Sequence, residues 1–232
     1  MLATLTDAAV DPLWSGLDLE IDRGQFLTVL GPNGVGKSPL LGVFPGPRRL
    51  TGGTARVDAR VGLIPQQRMF PAGLPLRAGD LVSLSLAHGV FRHRRAGRAR
   101  VAELLRRVGG EGLAEHRVGT LSGGQQQLVR QAQALAGEPE LLLADEPLLS
   151  LDPAAAQRTV AMLRAHCDAG GAIVCVTHDI NPVLEATDRV LYLTPGGHVS
   201  GTVAEVMDPK VLSRLYDTRV DVVEVDGRLV VV

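Results

Sequence analysis

Eight consecutive residues, Gly31-Pro32-Asn33-Gly34-Val35-Gly36-Lys37-Ser38, follow the spacing G-x-x-x-x-G-K-[ST] known as Walker A. Glycines at those positions let the backbone close around phosphate oxygens, so that successive N–H groups and the next helix start point at negative charge. Lys37 can then reach the β- and γ-phosphates, and the Ser38 hydroxyl can ligate Mg²⁺. A plain glycine turn capping a helix explains the glycines but not the Lys-Ser pair. Such a loop also needs a carboxylate for the metal. Leu141-Leu142-Leu143-Ala144-Asp145-Glu146 supplies two at the end of an apolar run, where α/β sheets bind ligands. Asp145 is expected to hold Mg²⁺ through water, and Glu146 to polarise an attacking water as general base. Alone, an Asp-Glu pair at a strand end is a solvated pair; next to a phosphate loop it has chemistry to do. A third cluster, Leu121-Ser122-Gly123-Gly124-Gln125, joins a good N-cap to two glycines that leave a helix start open to phosphate. A second phosphate site in a chain that already has one is most simply completed by another copy.

The elements that must position these residues are legible in outline. Alternation at Leu17, Leu19 and Ile21 predicts a half-buried strand, and Gln25–Leu30 a short strand running into Gly31. A helix from about Lys37 to Phe44 should stop at Pro45-Gly46-Pro47. Strands are expected at Thr54–Val57 and Arg60–Ile64. From about 70 to 120 the chain shows no strand and two helical patterns, Leu76–Ala87 and Arg98–Val108, which suggests an inserted helical subdomain. Alternating elements then return: a helix from Ser122 to Ala136, a strand Leu141–Ala144, a helix Pro153–Ala169, a strand Ala172–Val176, a short helix, and a strand Arg189–Leu193. This order predicts a mostly parallel sheet with helices on both faces. The tail reads as a hairpin, Val220–Val225 and Arg228–Val232, turned on Asp226-Gly227.

These motifs, in this order, resemble the ATP-binding subunits of ABC transporters over nearly the whole chain. Leu121–Gln125 matches the family signature, Gln66 its lid glutamine, Ser150-Leu151-Asp152 its D-loop, and His178 in Val176-Thr177-His178-Asp179 its switch histidine. The resemblance implies an α/β P-loop NTPase (RecA-like) core at 1–69 and 121–217, with a β-rich N-terminal part and a helical subdomain at about 70–120; the hairpin at 218–232 closes the chain. It implies ATP and Mg²⁺ as ligands, with Ser38, Gln66 and Asp145 at the metal and Glu146, His178 and Gln66 acting in hydrolysis. It also implies a head-to-tail dimer holding two ATPs between the Walker A of one copy and the signature of the other. Integral membrane permease subunits would be its partners, a substrate-binding protein an indirect one, and the inner face of the cell membrane its place. Leu13–Glu20, Pro65-Gln66-Gln67-Arg68, Asp145–Asp152 and Asp179–Leu184 are similar to subunits of manganese, zinc or iron importers.

Two positions depart from the family pattern. Pro39 stands where Thr or Ser would offer an N–H and a hydroxyl to the α-phosphate, and proline disfavours α geometry at Ser38, although it is tolerated in a first helical turn. No aromatic lies near Ala8 and Ala9 to stack on adenine; Trp14 falls in the next strand segment and reads as core.

Composition narrows the classes further. The chain has 232 residues, 45% hydrophobic and 21% charged, enough for a sizeable core. A net charge of −1 argues against a dedicated nucleic-acid binder. No apolar run approaches the roughly 18 residues of a membrane span, and the N-terminus lacks a signal peptide's basic start. Cys167 and Cys175 form no disulfide framework and suit a reducing cytoplasm. The arginine-rich stretch from Phe91 to Val108 reads as a solvated face, and His88, His93 and the His166–Cys167 pair lack metal-site spacing. Two other readings compete: a soluble ABC ATPase of translation or DNA repair, which typically carries two nucleotide domains or a long coiled-coil insertion, and a nucleotide-binding regulator with degraded hydrolysis.

Overall fold

A computed structural model describes residues 1–46, 48–86, 97–225 and 228–231. From the N-terminus run β1 (Ala3–Val10), β2 (Trp14–Ile21), β3 (Phe26–Leu30), α1 (Lys37–Val43) and β4 (Gly52–Val57). Of these, β2, β1 and β4 pair antiparallel in that order as a three-stranded sheet. Next come β5 (Val61–Ile64), α2 (Ala78–Leu86), α3 (Arg98–Arg107), α4 (Gly123–Ala136), β6 (Leu141–Asp145), α5 (Pro153–Asp168), β7 (Ala172–Val176), β8 (Arg189–Thr194) and β9 (Gly197–Gly201). The second sheet has six strands in the order β5-β6-β7-β3-β8-β9, parallel except for β9, which runs antiparallel to β8. Short α6 (Val203–Val206) and α7 (Pro209–Tyr216) lead to the antiparallel pair β10 (Val222–Val225) and β11 (Arg228–Val231).

The central strands are buried on both sides, which is why they read as unbroken apolar runs. Their period of two sends alternate residues to two separate cores. Leu27, Val29, Leu141, Leu143, Val174 and Val176 meet β1, β2 and α1 on one face. Phe26, Leu142, Ala144, Ile173 and Cys175 meet residues of α3, α4 and α5 on the other. Helices do lie on both faces, as expected. One face, however, has α1 alone and is closed mainly by the three-stranded sheet.

Several boundaries differ from the sequence reading for identifiable reasons. The helix expected from Leu76 begins at Ala78, because Arg77 is held in a bridge to Arg117. β1 was not anticipated: Asp7 sits in the left-handed region (φ 46°) and register shifts interrupt its pairing with β2, so the alternation of buried residues breaks phase half-way along the strand. β9 is an edge strand with little apolar content, and α6 and α7 are short. Both helices nonetheless carry legible starts, a Thr202–Glu205 capping box and an Asp208 cap before Pro209. Pro47, Ala87, His88, Arg92, His93, Arg94, Arg95, the Asp226-Gly227 turn and Val232 lie outside the described residues.

Candidate functional site

In the order β6-β7-β3 the strands are parallel and in register, Asp145 opposite Val176 and Val176 opposite Val29. Their carboxyl ends therefore emerge side by side. Gly31 follows β3, Asp145-Glu146 ends β6, and Thr177-His178 follows β7, so topology brings three distant segments to one edge.

The loop from Gly31 to Ser38 is shaped by close approach. Gly31 (φ 137°) lies so near β8 that a Cβ would come within 2.1 Å of the Leu193 carbonyl oxygen, and a Cβ on Gly36 (φ 103°) would come within 2.8 Å of the Trp14 ring. Trp14 is buried there and its indole N–H donates to the Gly36 carbonyl at 3.3 Å. The core reading of this tryptophan thus agrees with its position as the floor of the loop. Pro32, Asn33 and Gly34 form the exposed crest, while Val35 tucks into the core. Gly36 caps α1 without a side chain, leaving helix N–H groups free of competition. Pro39 occupies the first turn, and Leu40 N–H still reaches the Gly36 carbonyl at 3.0 Å. Ser38 is helical despite the proline after it.

Lys37 folds back over this loop, its Nζ donating to the Gly31 and Pro32 carbonyls at 2.6 and 2.9 Å. Burial pulls its pKa below the usual lysine value, and Glu146 and Asp145 act in the opposite direction. Asp145 is buried too; burial raises its pKa, against the Ser38 hydroxyl and the Lys37 ammonium, which lower it. A buried carboxylate beside a hydroxyl is a hard oxygen pair of the kind Mg²⁺ takes while keeping several waters. The residues therefore fit that ion. Glu146 comes next, in the left-handed region (φ 49°), its N–H donating to the Val176 carbonyl at 2.9 Å. That twist turns its carboxylate to His178, whose Nδ1 lies 3.0 Å from Oε2. Gln66 lies two residues beyond Ile64, which pairs with Ala144, so it flanks the same edge from the β5 side. It is exposed, and among the described residues no hydrogen bond holds it.

Ser122, Gly123, Gly124 and Gln125 begin α4 with a complete capping box: Ser122 Oγ accepts from Gln125 N–H at 3.3 Å, and Gln125 Oε1 accepts from Ser122 N–H at 3.0 Å. The neighbours of the two glycines are Gln67, Ser150 and Leu151, not the 31–38 loop. Asp152 of the next loop accepts from Ala155 N–H at 2.8 Å and caps α5. Within one copy, then, the phosphate loop and the signature stand apart.

A family model described as ABC transporter matches residues 14–149, spanning both the loop and the signature. The chain belongs to the ABC transporter family. It is an ATP-binding cassette, and such cassettes are ATPases. It is 36% identical to the zinc import ATP-binding protein ZnuC of Cereibacter sphaeroides, over 90% of this chain and 82% of that protein. It is 38% identical to the phosphonates import ATP-binding protein PhnC of Thiobacillus denitrificans, over 82% of each. Among solved structures, a metal-chelate type ABC transporter in an inward-facing conformation matches all of the cassette and 95% of its own chain, with TM-score 0.83 and 25% identity. A dimeric cassette in a post-hydrolysis state bound to ADP and Pi matches 87% of this chain and 99% of its own, with TM-score 0.75 and 28% identity.

The cassette also holds residues that sequence reasoning passed over. Gln67, next to the expected Gln66, lies against Gly123: a Cβ there would come within 2.6 Å of its Nε2. Thr177, Asp179 and Asn181 form a hydrogen-bonded ladder around His178. Their spacing of two, in types that bond their own backbone, was the available signal. No helix of the cassette, among the described residues, is long and apolar enough to cross a membrane.

Proposed function

We propose that this cassette powers import of a metal ion (zinc, manganese or iron) through integral membrane permease subunits, working from the cytoplasmic face. The observation that carries the catalytic half is the gathering of Lys37, Asp145, Glu146 and His178 at the carboxyl edge of one parallel sheet. Backbone N–H groups of residues 31–38 cradle the phosphates of ATP, and Lys37 balances charge on the β- and γ-groups. Ser38, Asp145 and Gln66 would hold Mg²⁺, which when bound neutralises phosphate charge. Glu146 orients a water and takes its proton as the oxygen attacks the γ-phosphorus; the bond to the β–γ bridging oxygen breaks, leaving ADP and phosphate. His178, bonded to Glu146, fixes the carboxylate.

The assembly half follows from the separation of signature and phosphate loop within one copy. Ser122, Gly123, Gly124 and Gln125 of a second copy complete the site in a head-to-tail dimer, a reading supported by the dimeric cassette among the structural neighbours. The substrate half draws support from the zinc-import relative and the metal-chelate transporter. A substrate-binding protein would deliver the ion from the other side of the membrane. The phosphonate relative sets the contrast for a test. The cassette is reconstituted in liposomes with the permease subunits that bind it, and ATP-driven uptake of Zn²⁺, Mn²⁺ and Fe²⁺ is compared with that of a phosphonate. Uptake of one of the metals, abolished by Lys37→Ala, is expected; uptake of phosphonate alone overturns the reading.

A further inference from the structure

We propose that the C-terminal hairpin is a strut for the hydrolytic centre, with Asn181 as the positioning residue that couples them; this deepens the reading of His178 and Glu146 above and rests on it. The His178 side chain is 65% exposed, so packing does little to place it. Its ring is located by the Glu146 contact and by the backbone that carries it. That backbone is held by side chains. Thr177 Oγ1 donates to the Asp179 carbonyl at 3.0 Å and accepts from Asp179 N–H at 3.2 Å. Asp179 Oδ1 accepts from the Asn181 N–H at 2.9 Å and from its Nδ2 at 2.8 Å. Asn181 then turns its amide to β11: Nδ2 donates to the Leu229 carbonyl at 3.0 Å, and Oδ1 accepts from the Leu229 N–H at 2.7 Å.

The amide thus pairs with both backbone groups of one residue of β11, as a residue of a neighbouring strand would. A two-point contact fixes orientation as well as distance, which a single bond does not. The hairpin itself is anchored: Val222 and Leu229 pack on the core, and Ser213 Oγ meets Val220 N–H at 2.9 Å and its carbonyl at 3.2 Å. A continuous chain of hydrogen bonds therefore runs from residue 229 through Asn181 and Asp179 to the loop that presents His178 to Glu146. Two consecutive strands at the end of the chain, remote in sequence from every nucleotide motif, help set the angle of the base.

The test uses steady-state ATP hydrolysis by the full chain. Asn181→Ala is compared with His178→Ala, with the double variant, and with Leu229→Pro, which removes the N–H that Asn181 accepts while leaving Asn181 in place. Misplacing a catalytic group by a fraction of an ångström to an ångström costs roughly 10-fold to 100-fold in rate. Asn181→Ala and Leu229→Pro are each expected to lower kcat by that order with KM for ATP unchanged within about twofold. The double variant should be no slower than His178→Ala. Thermal melts and ATP titration confirm that each protein is folded and binds. Wild-type kcat in Asn181→Ala, or a loss that multiplies with that of His178→Ala, overturns the strut while the assignment of His178 stands. Full turnover by His178→Ala removes that assignment, and the strut falls with it.

Discussion

Glu146 holds its carboxylate on a backbone in the left-handed region, a conformation that costs a non-glycine residue on the order of 1–2 kcal/mol. Strain of this kind persists where the surroundings over-determine it, and here the Val176 carbonyl and His178 do so. At the same scale Pro39 is the residue whose type disagrees with its place. The helix absorbs it without distortion, because the missing N–H belongs to the first turn. What proline removes is one backbone N–H at the helix start, the donor that the family pattern offers to phosphate. Pro39→Thr restores one N–H and one hydroxyl, and a hydrogen bond to a charged group is worth about 1.5–3 kcal/mol, reduced where water already fills the gap. Titration calorimetry should show MgATP binding several-fold tighter or more in the variant; equal affinities would mean that the loop already compensates. Residues 31–38 and 145–146 were legible because each acts through contiguous backbone or a strand end. Asn181 and Gln67 were not, because their partners, Leu229 and Gly123, are tens of residues away.

Helix starts carry much of the architecture at the element scale. α4 opens on Ser122, in the segment that matches the family signature, and α5 on Asp152, in the one that matches its D-loop, and each side chain caps its helix. Losing a cap typically costs ~1 kcal/mol. Asp152→Ala should therefore lower thermal stability by a few degrees, while Asp152→Asn, which retains the acceptor for Ala155 N–H, should melt close to wild type. Equal melting of the Ala and wild-type proteins would deny the cap. Elements with one unambiguous pattern were readable: β3, β6 and β7 as short unbroken apolar runs, and α4 and α5 behind clear helix starts. β1 was not, since its irregularities break the phase of the alternation, and β9 was not, since an edge strand beside β8 buries little.

The whole molecule divides its six-stranded sheet between two cores, and both cysteines lie inside the one on the side of α3, α4 and α5. Burial holds the Cys167 thiol up at about 12 and raises Cys175 as well, against 9.0 for a free thiol. The sign follows directly: the folded state keeps these protons, so their contribution is intact below pH 9 and is lost as pH rises toward 12. Urea unfolding between pH 8 and 10.5 should show stability falling less steeply in Cys167→Ala than in wild type; parallel slopes would contradict the burial argument. At the scale of the assembly, Ser122→Arg puts bulk and charge where a second copy is proposed to meet the nucleotide. Light scattering should show ATP-driven dimerisation abolished while ATP affinity of the single chain stays roughly unchanged. An ATP-dependent dimer of normal stability would argue against the shared site.

Glu146 is the proposed base on which hydrolysis depends, and its amide variant probes that role most directly. MgATP binding and single-turnover hydrolysis are followed together in Glu146→Gln, which keeps the shape and the contact distance to His178 while removing the proton acceptor. Losing a general base costs ~10²–10⁴-fold in rate. The expected result is wild-type ATP affinity, hydrolysis slowed by that factor, and a dimer trapped with its nucleotide. Turnover at the wild-type rate would contradict the mechanism at its centre.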